Sequence, residues 1–580
     1  MKWPPAGGAL GPAGPAVPAK GERSETMSTR RFASLFHARG ILLSAAIVVT
    51  IAVLLLTACP NPTTVRYEPY VSPGAVSPLP DDQYYAKTGS QDYQWDLRQI
   101  DMPEAWGIIR SSAMVGKFSP VVVAVIDTGI LPGHPDLGSN IIYSATDPAQ
   151  GYDFISEDSP GSNTYNRAND DDGRDPDPLD PGDGNTAPTW HGSHVAGTIA
   201  ALTNNGGEGI AGIGWDRIRI LPVRALGVTV DDTSALESDL IQAVFYAAGL
   251  PNSSGAVPSA DVKVINMSFG SPGALSSVMY DAIQACVDKG ITVVVAAGND
   301  SSSVRYPAAF DNTIAVGSTN YAKLRASYSN YGQQLSLVAP GGDIDLDENG
   351  DGEPDGVLST IKVDGVLYQT NVGIQIEISD GYAFYDGTSM ATPHVAGVAA
   401  LLYSYAPNLN QSQVFTILMN TAEDLGVPGW DKYYGHGLIN AKRALEYLIS
   451  AADMPPLTAL GTGSVGASSA SGTAVSVAAT ALPGVKPVQR SGAILPQGGP
   501  AEYAPDSIIV KLKAGAESRN VTVEGRLGQT SGVASVGRSA GRFRTVRLTP
   551  GKSVTEVIRR VASDPDVEYA QPNYVYHLIQ

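Results

Sequence analysis

The run Val121–Ile126 (VVVAVI), followed directly by Asp127-Thr128-Gly129, decides the fold class of this chain. An apolar run without polar alternation is typical of a central strand in a parallel sheet that is covered on both faces. Similar runs recur at Arg219–Arg224, Val262–Met267 and Ile291–Ala296, and helical patterns lie between the runs at 191–202, 234–249 and 273–289. This alternation predicts an α/β fold, a doubly wound and mostly parallel sheet with helices on both faces.

The 580 residues are too many for one ordinary domain. Composition divides them into a leader with an export signal (1–59), a Pro- and Tyr-rich tether (60–90), the α/β domain (91–450) and an Ala/Gly/Ser/Pro linker (451–500). Residues 501–580 again show patterns that are typical of strands and helices. Strand patterns at Ser507–Lys513, Phe543–Leu548 and Val567–Tyr569, with a helical pattern at Val554–Ala562, predict a small α+β module.

The charge is distributed unevenly along the chain. Residues 60–450 hold 19 Lys and Arg against 46 Asp and Glu, a net charge of -27, whereas residues 501–580 hold 11 against 8, a net charge of +3. An acidic body argues against nucleic acid as a partner. It is compatible with cation binding or with solubility alone.

The N-terminal part of the chain carries an export signal. Arg30, Arg31 and Arg39 precede the apolar run Ile41–Leu56, and Cys59 follows it. The end of this run resembles a bacterial lipoprotein cleavage site, which implies lipidation of Cys59 and attachment to a membrane. An ordinary secretory signal and a single membrane anchor are the alternatives. Residues 1–26 are unlike the start of a signal, so Met27 is a candidate start.

The chain has two cysteines, Cys59 and Cys286. If Cys59 is lipidated, Cys286 has no disulfide partner within the chain. Cys286 falls in a helical pattern with Val278, Ala282 and Ile283, which predicts a buried apolar thiol.

Three segments each carry one residue type that amide cleavage requires. Asp127 closes the first apolar strand, His191 opens the helical segment HGSHVAGT, and Ser389 lies in the first turn of a long apolar helix that includes Val395–Tyr403. Each has a plain structural interpretation as a turn or cap residue. His191 and His194 are spaced i,i+3, and the i,i+4 pair with an intervening Glu that marks zinc proteases is absent, so His194 is interpreted as a core histidine.

Together these motifs resemble the subtilisin-like serine peptidases, whose triad follows the same order, Asp, His, Ser. The resemblance runs from about Gln91 to Leu445. It implies that Ser389 is the nucleophile, His191 the general base and then acid, and Asp127 the residue that fixes the His191 tautomer.

The resemblance extends to residues that would bind the substrate. Asn299, at the end of the run Val293–Gly298, matches the family's oxyanion-binding Asn, with the Ser389 N–H as second donor. Two segments are expected to pair with the substrate and to frame the pocket for the residue before the cleaved bond: Ser268, Phe269 and Gly270, and Ala296, Ala297 and Gly298. Phe269 replaces the family's usual Leu.

Two acidic segments suggest a structural calcium ion. The first has side-chain oxygens on alternate residues with glycines between them, a pattern that can wrap a hard cation although the register is ambiguous: Asp345, Asp347, Asn349, Asp351 and Asp355. The second is Asp170–Asp183. The alternative for both is a solvated acidic turn. Asp136 and Asn204 match positions that bind calcium in the family, but the loop after Asn204 is longer here.

The C-terminal module resembles the inhibitory propeptide of the same family in the segments 505–513 and 564–574, although in the family this module precedes the protease. That resemblance implies that Tyr576-His577-Leu578-Ile579 enters the substrate groove, with Ile579 or Gln580 nearest Ser389. The linker and the opposite charges favour an encounter in cis. A folding chaperone and an unrelated binding domain are the alternatives.

The sequence therefore predicts an exported serine endopeptidase that acts on proteins through an acyl-enzyme and is inhibited by its own C-terminal module. The alternative function is that of a non-catalytic, calcium-stabilised surface binding protein on the same fold. The complete set of catalytic motifs favours the enzyme.

Overall fold

The structure is a computed structural model that describes residues 79–85, 91–156, 168–170, 173–182, 190–228, 233–273, 275–362, 367–369, 375–377, 381–453, 492–494, 502–516 and 520–579. Met27, Cys59, Gln580 and nearly all of the linker lie outside these residues. Within them, no helix is both long enough and apolar enough to cross a membrane.

A parallel sheet of seven strands forms the centre of the larger domain, in the order β10-β9-β8-β6-β1-β3-β2. All its pairings are parallel. Every residue of β1 is buried, as a strand covered on both faces requires. The bounds of these strands are β1 Val121–Asp127, β2 Tyr152–Asp153, β3 Ile218–Arg224, β6 Val262–Met267, β8 Thr292–Ala296, β9 Ile314–Thr319 and β10 Leu337–Pro340.

Helices pack against this sheet. The longest, α6, runs through the core with every residue buried. In the larger domain the helices are α1 Trp95–Gln99, α2 Met102–Ile109, α3 His191–Ala200, α4 Glu237–Ala247, α5 Ser277–Asp288, α6 Thr388–Tyr405, α7 Gln411–Thr421 and α8 Ala441–Asp453. The predicted doubly wound α/β fold is confirmed.

The C-terminal module has its own antiparallel sheet and its own apolar core. Val510, Val546 and Val557 lie in that core, and each is fully buried. The elements of the module are β15 Gly492–Ala493, β16 Tyr503–Leu512, α9 Asn520–Gly528, β17 Val533–Ala540, β18 Phe543–Leu548, α10 Val554–Val561 and β19 Val567–Leu578.

Strand β19 continues beyond the module and joins the two parts of the molecule. Its first half pairs with β16, and its second half pairs with β5 (Thr233–Leu236) and β7 (Phe269–Gly270) of the larger domain. Strand β4 (Gly227–Val228) pairs antiparallel with β5 and lies at the end of this row of strands. Two further antiparallel pairs are β11 (Val357–Thr360) with β14 (Tyr382–Tyr385), and β12 (Leu367–Gln369) with β13 (Gln375–Glu377).

The predicted elements are present in the structure, but two of them differ at the junction of the two parts. The pattern at 234–249 indicated one helix, but 233–236 is a strand and the helix begins at Glu237. The strand predicted at Val567–Tyr569 is instead twelve residues long, and α9 and β17 were not predicted. Both misjudged segments form the contact between module and domain, so local patterns did not determine their conformation.

Candidate active site

Asp127 and His191 meet at the carboxyl edge of the central sheet. Asp127 is the last residue of β1 and His191 is the first residue of α3. His191 Nδ1 lies 2.8 Å from Asp127 Oδ1, and both side chains are almost fully buried. The same Asp127 oxygen accepts a hydrogen bond from the Thr128 N–H at 2.8 Å. This arrangement fixes the carboxylate and favours the His191 tautomer that carries its proton on Nδ1.

A glycine beside His191 permits this approach. A Cβ atom on Gly192 would lie 2.2 Å from the Gly129 carbonyl oxygen and 3.1 Å from Asp127 Cβ. Any larger residue would therefore push α3 away from the end of β1 and separate the histidine from the aspartate.

Ser389 is the second residue of α6, at the helix end where backbone N–H groups are unsatisfied and the dipole is positive. Its hydroxyl donates to the Ser268 carbonyl at 3.0 Å and to the Ile579 carbonyl. His191 Nε2 is buried and has no hydrogen-bond partner among the described residues. The structure thus places His191 in contact with Asp127, while the Ser389 hydroxyl is directed at two carbonyl oxygens and makes no hydrogen bond to the imidazole.

Asn299 lies beside the same helix end. Its Oδ1 accepts from the Thr388 N–H and the Thr388 hydroxyl, both at 2.9 Å. A Cβ atom on Gly387, where φ is +146°, would lie 2.9 Å from Asn299 Nδ2 and 3.7 Å from the Ile579 oxygen. Because Gly387 has no side chain, the Asn299 amide and the Ile579 carbonyl oxygen border the same space. Asn299 Nδ2 can therefore donate to an oxyanion there.

The segment Val575–Ile579, called the tail below, lies along β5 and β7. Val575, Tyr576 and His577 pair with Leu236, Ala235 and Ser234 of β5, while His577 and Leu578 pair with Gly270 and Phe269 of β7. The Ile579 N–H donates to the Ser268 carbonyl at 3.2 Å. The predicted segment 268–270 therefore holds an extended peptide, and β5, which the sequence did not indicate, holds its other edge.

Arg305 is a pocket residue that sequence reasoning missed. A Cβ atom on Gly270 would lie 3.0 Å from Ile579 Cδ1 and 3.2 Å from Arg305 Cβ, and one on Gly298 would lie 3.0 Å from Arg305 Cγ. The Arg305 stem therefore lies between the two predicted pocket segments, 268–270 and 296–298. Its guanidinium group forms a two-point ion pair with Asp300, with both hydrogen bonds at 2.6 Å. No sequence motif includes Arg305, because its place between these two segments results from the fold alone.

The predicted calcium residues do not converge on a common point. In the loop 345–355, Asp347 and Asn349 accept from the Asp351 N–H, and Asp351 Oδ2 accepts from the Asp92 N–H outside the loop. Asp355 accepts from the Asn349 amide at 2.9 Å. Within the described part of the chain, no three His, Cys, Asp or Glu side chains are grouped to hold a metal ion. The side chains of this loop, as placed, do not fit a calcium ion.

Asp136 and Asn204 also have protein partners. Buried Asp136 accepts from the Ile210 N–H at 2.9 Å and from the Asn205 amide at 2.8 Å, and Asn204 Oδ1 accepts from the Asp81 N–H at 2.8 Å. In the second acidic segment, Asp170 pairs with buried Arg224, while Asp183 lies outside the described residues.

His194 and Cys286 take no part in the site. The His194 ring stacks on Tyr385 with centroids 4.4 Å apart, and its Nε2 lies 3.1 and 3.0 Å from the carbonyls of Val357 and Ala383. Burial lowers the pKa of His194 to about 3, so the ring is neutral and donates to a carbonyl. Cys286 is buried and unpaired, and burial raises the pKa of its thiol to about 12.

Comparison with known proteins agrees with this geometry. Residues 119–437 match the model of the subtilase family, and residues 490–573 match that of the fervidolysin N-terminal prodomain. The chain is 40% identical over 347 residues to an extracellular protease of Xanthomonas campestris pv. campestris, a match that covers 57% of this chain and 52% of that protein. It is 35% identical over 369 residues to a thermophilic serine proteinase of Bacillus sp. (strain AK1), covering 63% and 69%.

Among solved structures, a protease from Pseudoalteromonas arctica matches with a TM-score of 0.50 and 35% identity, covering 63% of this chain and 99% of that one. The chain spans about half the length of the Xanthomonas protease. Because the subtilase model matches more than half of the residues, the chain belongs to the subtilase family.

Proposed function

We propose that the protein is a serine endopeptidase that cleaves protein substrates through an acyl-enzyme. The observation that carries this proposal is the buried 2.8 Å contact between His191 Nδ1 and Asp127 Oδ1, with Ser389 at the N-terminus of α6, a helix that packs against α3. Membership of the subtilase family supports it.

In the proposed reaction Ser389 Oγ attacks the substrate carbonyl carbon while His191 Nε2 takes the hydroxyl proton. Asp127 holds the proton on Nδ1 and stabilises the imidazolium. Asn299 Nδ2 and the Ser389 N–H stabilise the oxyanion. The protonated His191 then gives its proton to the leaving amine, and water hydrolyses the acyl-enzyme by the same steps.

We further propose that the module inhibits its own catalytic domain. The tail pairs with both β5 and β7, as a substrate backbone would, and the Ser389 hydroxyl donates to the Ile579 carbonyl. Ser389 and His191 are both fully buried beneath this arrangement. A peptide substrate needs the same hydrogen-bonding edges, so it has to displace the tail.

Side chains near the tail strengthen this contact. Helix α4 has no side-chain cap of its own, and Asn573 of the module accepts the Ser238 N–H at 3.0 Å. Gln571 donates to Ser276, the N-cap residue of α5, at 2.8 Å. Nearby, Lys511 pairs with Asp281 at 2.6 Å with its side chain only 8% exposed. The module thus satisfies polar groups at two helix starts.

Docking in cis is sterically feasible because 38 residues separate Asp453 from Gly492. At about 3.3 Å per residue they can span more than the diameter of the domain. A tethered module binds at a high effective concentration, so a modest contact suffices to keep the groove occupied. Cutting the connection would release it.

The activity is tested with a full-length variant in which the tail cannot dock, called the open-tail variant. It carries Tyr576→Gly and Ile579→Pro, which remove a buried ring and the N–H that donates to Ser268. The open-tail variant should degrade an unfolded protein, and adding Ser389→Ala should abolish this. Degradation that survives Ser389→Ala would contradict the serine mechanism. Absence of hydrolysis in every variant would instead favour the non-catalytic binding protein.

Inhibition is tested by cutting within 454–491 and removing the module. The kcat/KM for a short peptide should rise, and adding the separated module back should lower it again. Equal activity before and after, with no effect of the added module, would leave the folding chaperone or the unrelated binding domain.

We propose an extracytoplasmic location, which is supported by the names of the extracellular relatives. Anchoring through a lipid on Cys59 rests on the sequence pattern. Incorporation of labelled palmitate should be lost in Cys59→Ser. An unlipidated wild-type protein would contradict the anchor.

Calcium is proposed as a structural ion on family resemblance, for the region of Asp136 and Asn204 and not for the loop 345–355. Ligand that binds the folded state alone raises stability by mass action. Adding a calcium chelator should lower the Tm by several degrees, whereas an unchanged melting curve would contradict a structural calcium ion.

A further inference from the structure

The tail places an aromatic side chain in a second pocket of the groove. Tyr576 lies three residues before Ile579 and is fully buried. Its ring meets Phe269 edge-on, with centroids 6.2 Å apart. Its backbone pairs with Ala235 of β5. If Ile579 precedes the cleaved bond, as the proposed function requires, then Tyr576 occupies the place of the fourth substrate residue before that bond.

The end of this pocket is polar. Glu237, the first residue of α4, is completely buried, and its Oε1 faces the Tyr576 hydroxyl at 3.4 Å. A buried carboxylate is costly unless hydrogen-bond donors surround it. Ser276 of the catalytic domain supplies one donor, and the module supplies others from Tyr576, from Gln571 and from the Tyr574 backbone.

These donors reach different oxygens of Glu237. Gln571 donates to Oε2 at 3.0 Å, while the Tyr576 phenol faces Oε1. Of these two, Tyr576 lies in the stretch that a short substrate would replace, whereas Gln571 lies five residues further back. A substrate of four residues can therefore supply the donor to Oε1 but not the donor to Oε2.

We propose that Glu237 is a specificity determinant that favours tyrosine as the fourth residue before the cleaved bond. The proposal rests on the proposed protease function. Phenylalanine fills the same space between Phe269 and β5 but leaves the carboxylate oxygen without its donor, and a site built to bond a hydroxyl discriminates against the analogue that lacks it. Aspartate or glutamate would bring a like charge to Glu237 and is excluded.

The test uses the open-tail variant as the parent, because Tyr576→Gly empties the pocket while Glu237 remains. Two tetrapeptide p-nitroanilides copy the tail, Tyr-His-Leu-Ile and Phe-His-Leu-Ile, and their kcat/KM values are compared at pH 8. The parent should prefer the tyrosine peptide about tenfold, as expected for one hydrogen bond to a charged group. The ratio should fall to about three in Glu237→Gln, which keeps an acceptor, and to about one in Glu237→Met, which has none.

Fluorophosphonate labelling of Ser389 counts the folded sites in each variant, so a ratio is accepted only from enzyme that labels completely. A parent ratio near one, or a ratio that persists in Glu237→Met, would overturn the proposal while leaving the protease function intact. A third p-nitroanilide, Lys-His-Leu-Ile, is compared in the same assay; if it is preferred over the tyrosine peptide the proposal is also overturned, because the pocket would then select charge. Failure to cleave either peptide would contradict the proposed function instead.

Discussion

The two halves of β19 are continuous in the chain but belong to different parts of the molecule. The first half pairs with β16 and buries Val567 and Ala570 in the core of the module. The second half pairs with β5 and β7 through its backbone. Side-chain packing specifies the first half for this sequence, whereas any extended peptide can make the backbone contacts of the second. In the proposed inhibition, the module can therefore stay folded while its tail competes with substrate.

The largest expected effect separates access from chemistry. Ser389→Ala should lower kcat by roughly 10⁶-fold, the loss already known for another subtilase, and it should do so in the open-tail variant as well. Releasing the tail opens the groove but does not supply a nucleophile. Assays with a peptide anilide would measure this, and an open-tail variant that retains activity without Ser389 would contradict the role of Ser389 as nucleophile.

The next effect tests whether the first half of β19 holds the second in place. Val557→Ala removes buried methyl groups from the core of the module and should cost about 2–3 kcal/mol of its stability, a large share for so small a core. The module should unfold at lower denaturant and basal activity should rise. Arg559→Ala, on the exposed face of the same helix, is the matched control. Equal denaturation midpoints and basal activities in the two variants would contradict this dependence.

A smaller effect concerns the ion pair across the contact. Lys511→Met should weaken inhibition about five- to tenfold, because Lys511 is nearly buried against Asp281. Lys513→Met removes the same charge from an exposed position whose ammonium group bonds the Pro565 carbonyl within the module. The two variants should differ in basal kcat/KM, and identical values would show that the module's overall charge is what matters.

The smallest effect is a pH dependence of tail docking. Burial raises the pKa of Glu237 from its ordinary value near 4.5 to about 7 when the tail is bound. Because the bound state holds its proton more tightly, docking should be strongest below about pH 4.5 and weaken as pH rises through 7. The kcat/KM of the open-tail variant divided by that of the full-length protein should therefore fall severalfold from pH 5 to pH 8. Because both proteins contain the same triad, its titration affects both values equally and does not change this ratio. Glu237→Gln should abolish this pH dependence. An unchanged pH dependence in that variant would show that another group is responsible.

The sequence predicted the sheet and the strand or helix end at which Asp127, His191 and Ser389 each lie, because the apolar patterns of those elements are local. It missed β5, Arg305 and Glu237. The strand at 233–236 pairs with β4 on one side and with Val575–His577 on the other, and the second partner lies more than 300 residues away in the chain. Arg305 and Glu237 acquire roles only through neighbours brought by the fold, which no spacing in the sequence reveals.

The acidic loop shows the opposite limit. The alternation of Asp345, Asp347, Asn349 and Asp351 is as regular as any motif in the chain, yet Asp347 and Asn349 both accept from the Asp351 N–H within the loop. The same pattern suits an Asx-type turn and a calcium loop, since both need carboxylate oxygens directed inward. Composition alone does not distinguish the two.

The rate at which a fluorophosphonate labels Ser389 is the most direct test of tail occupancy. The reagent needs the groove to be open and the triad to be functional, and intact mass spectrometry reads the product without a substrate. Labelling should be about a hundredfold faster in the open-tail variant than in the full-length protein, with Arg559→Ala matching the latter. Equal rates in full-length and open-tail proteins would show that the tail does not close the active site.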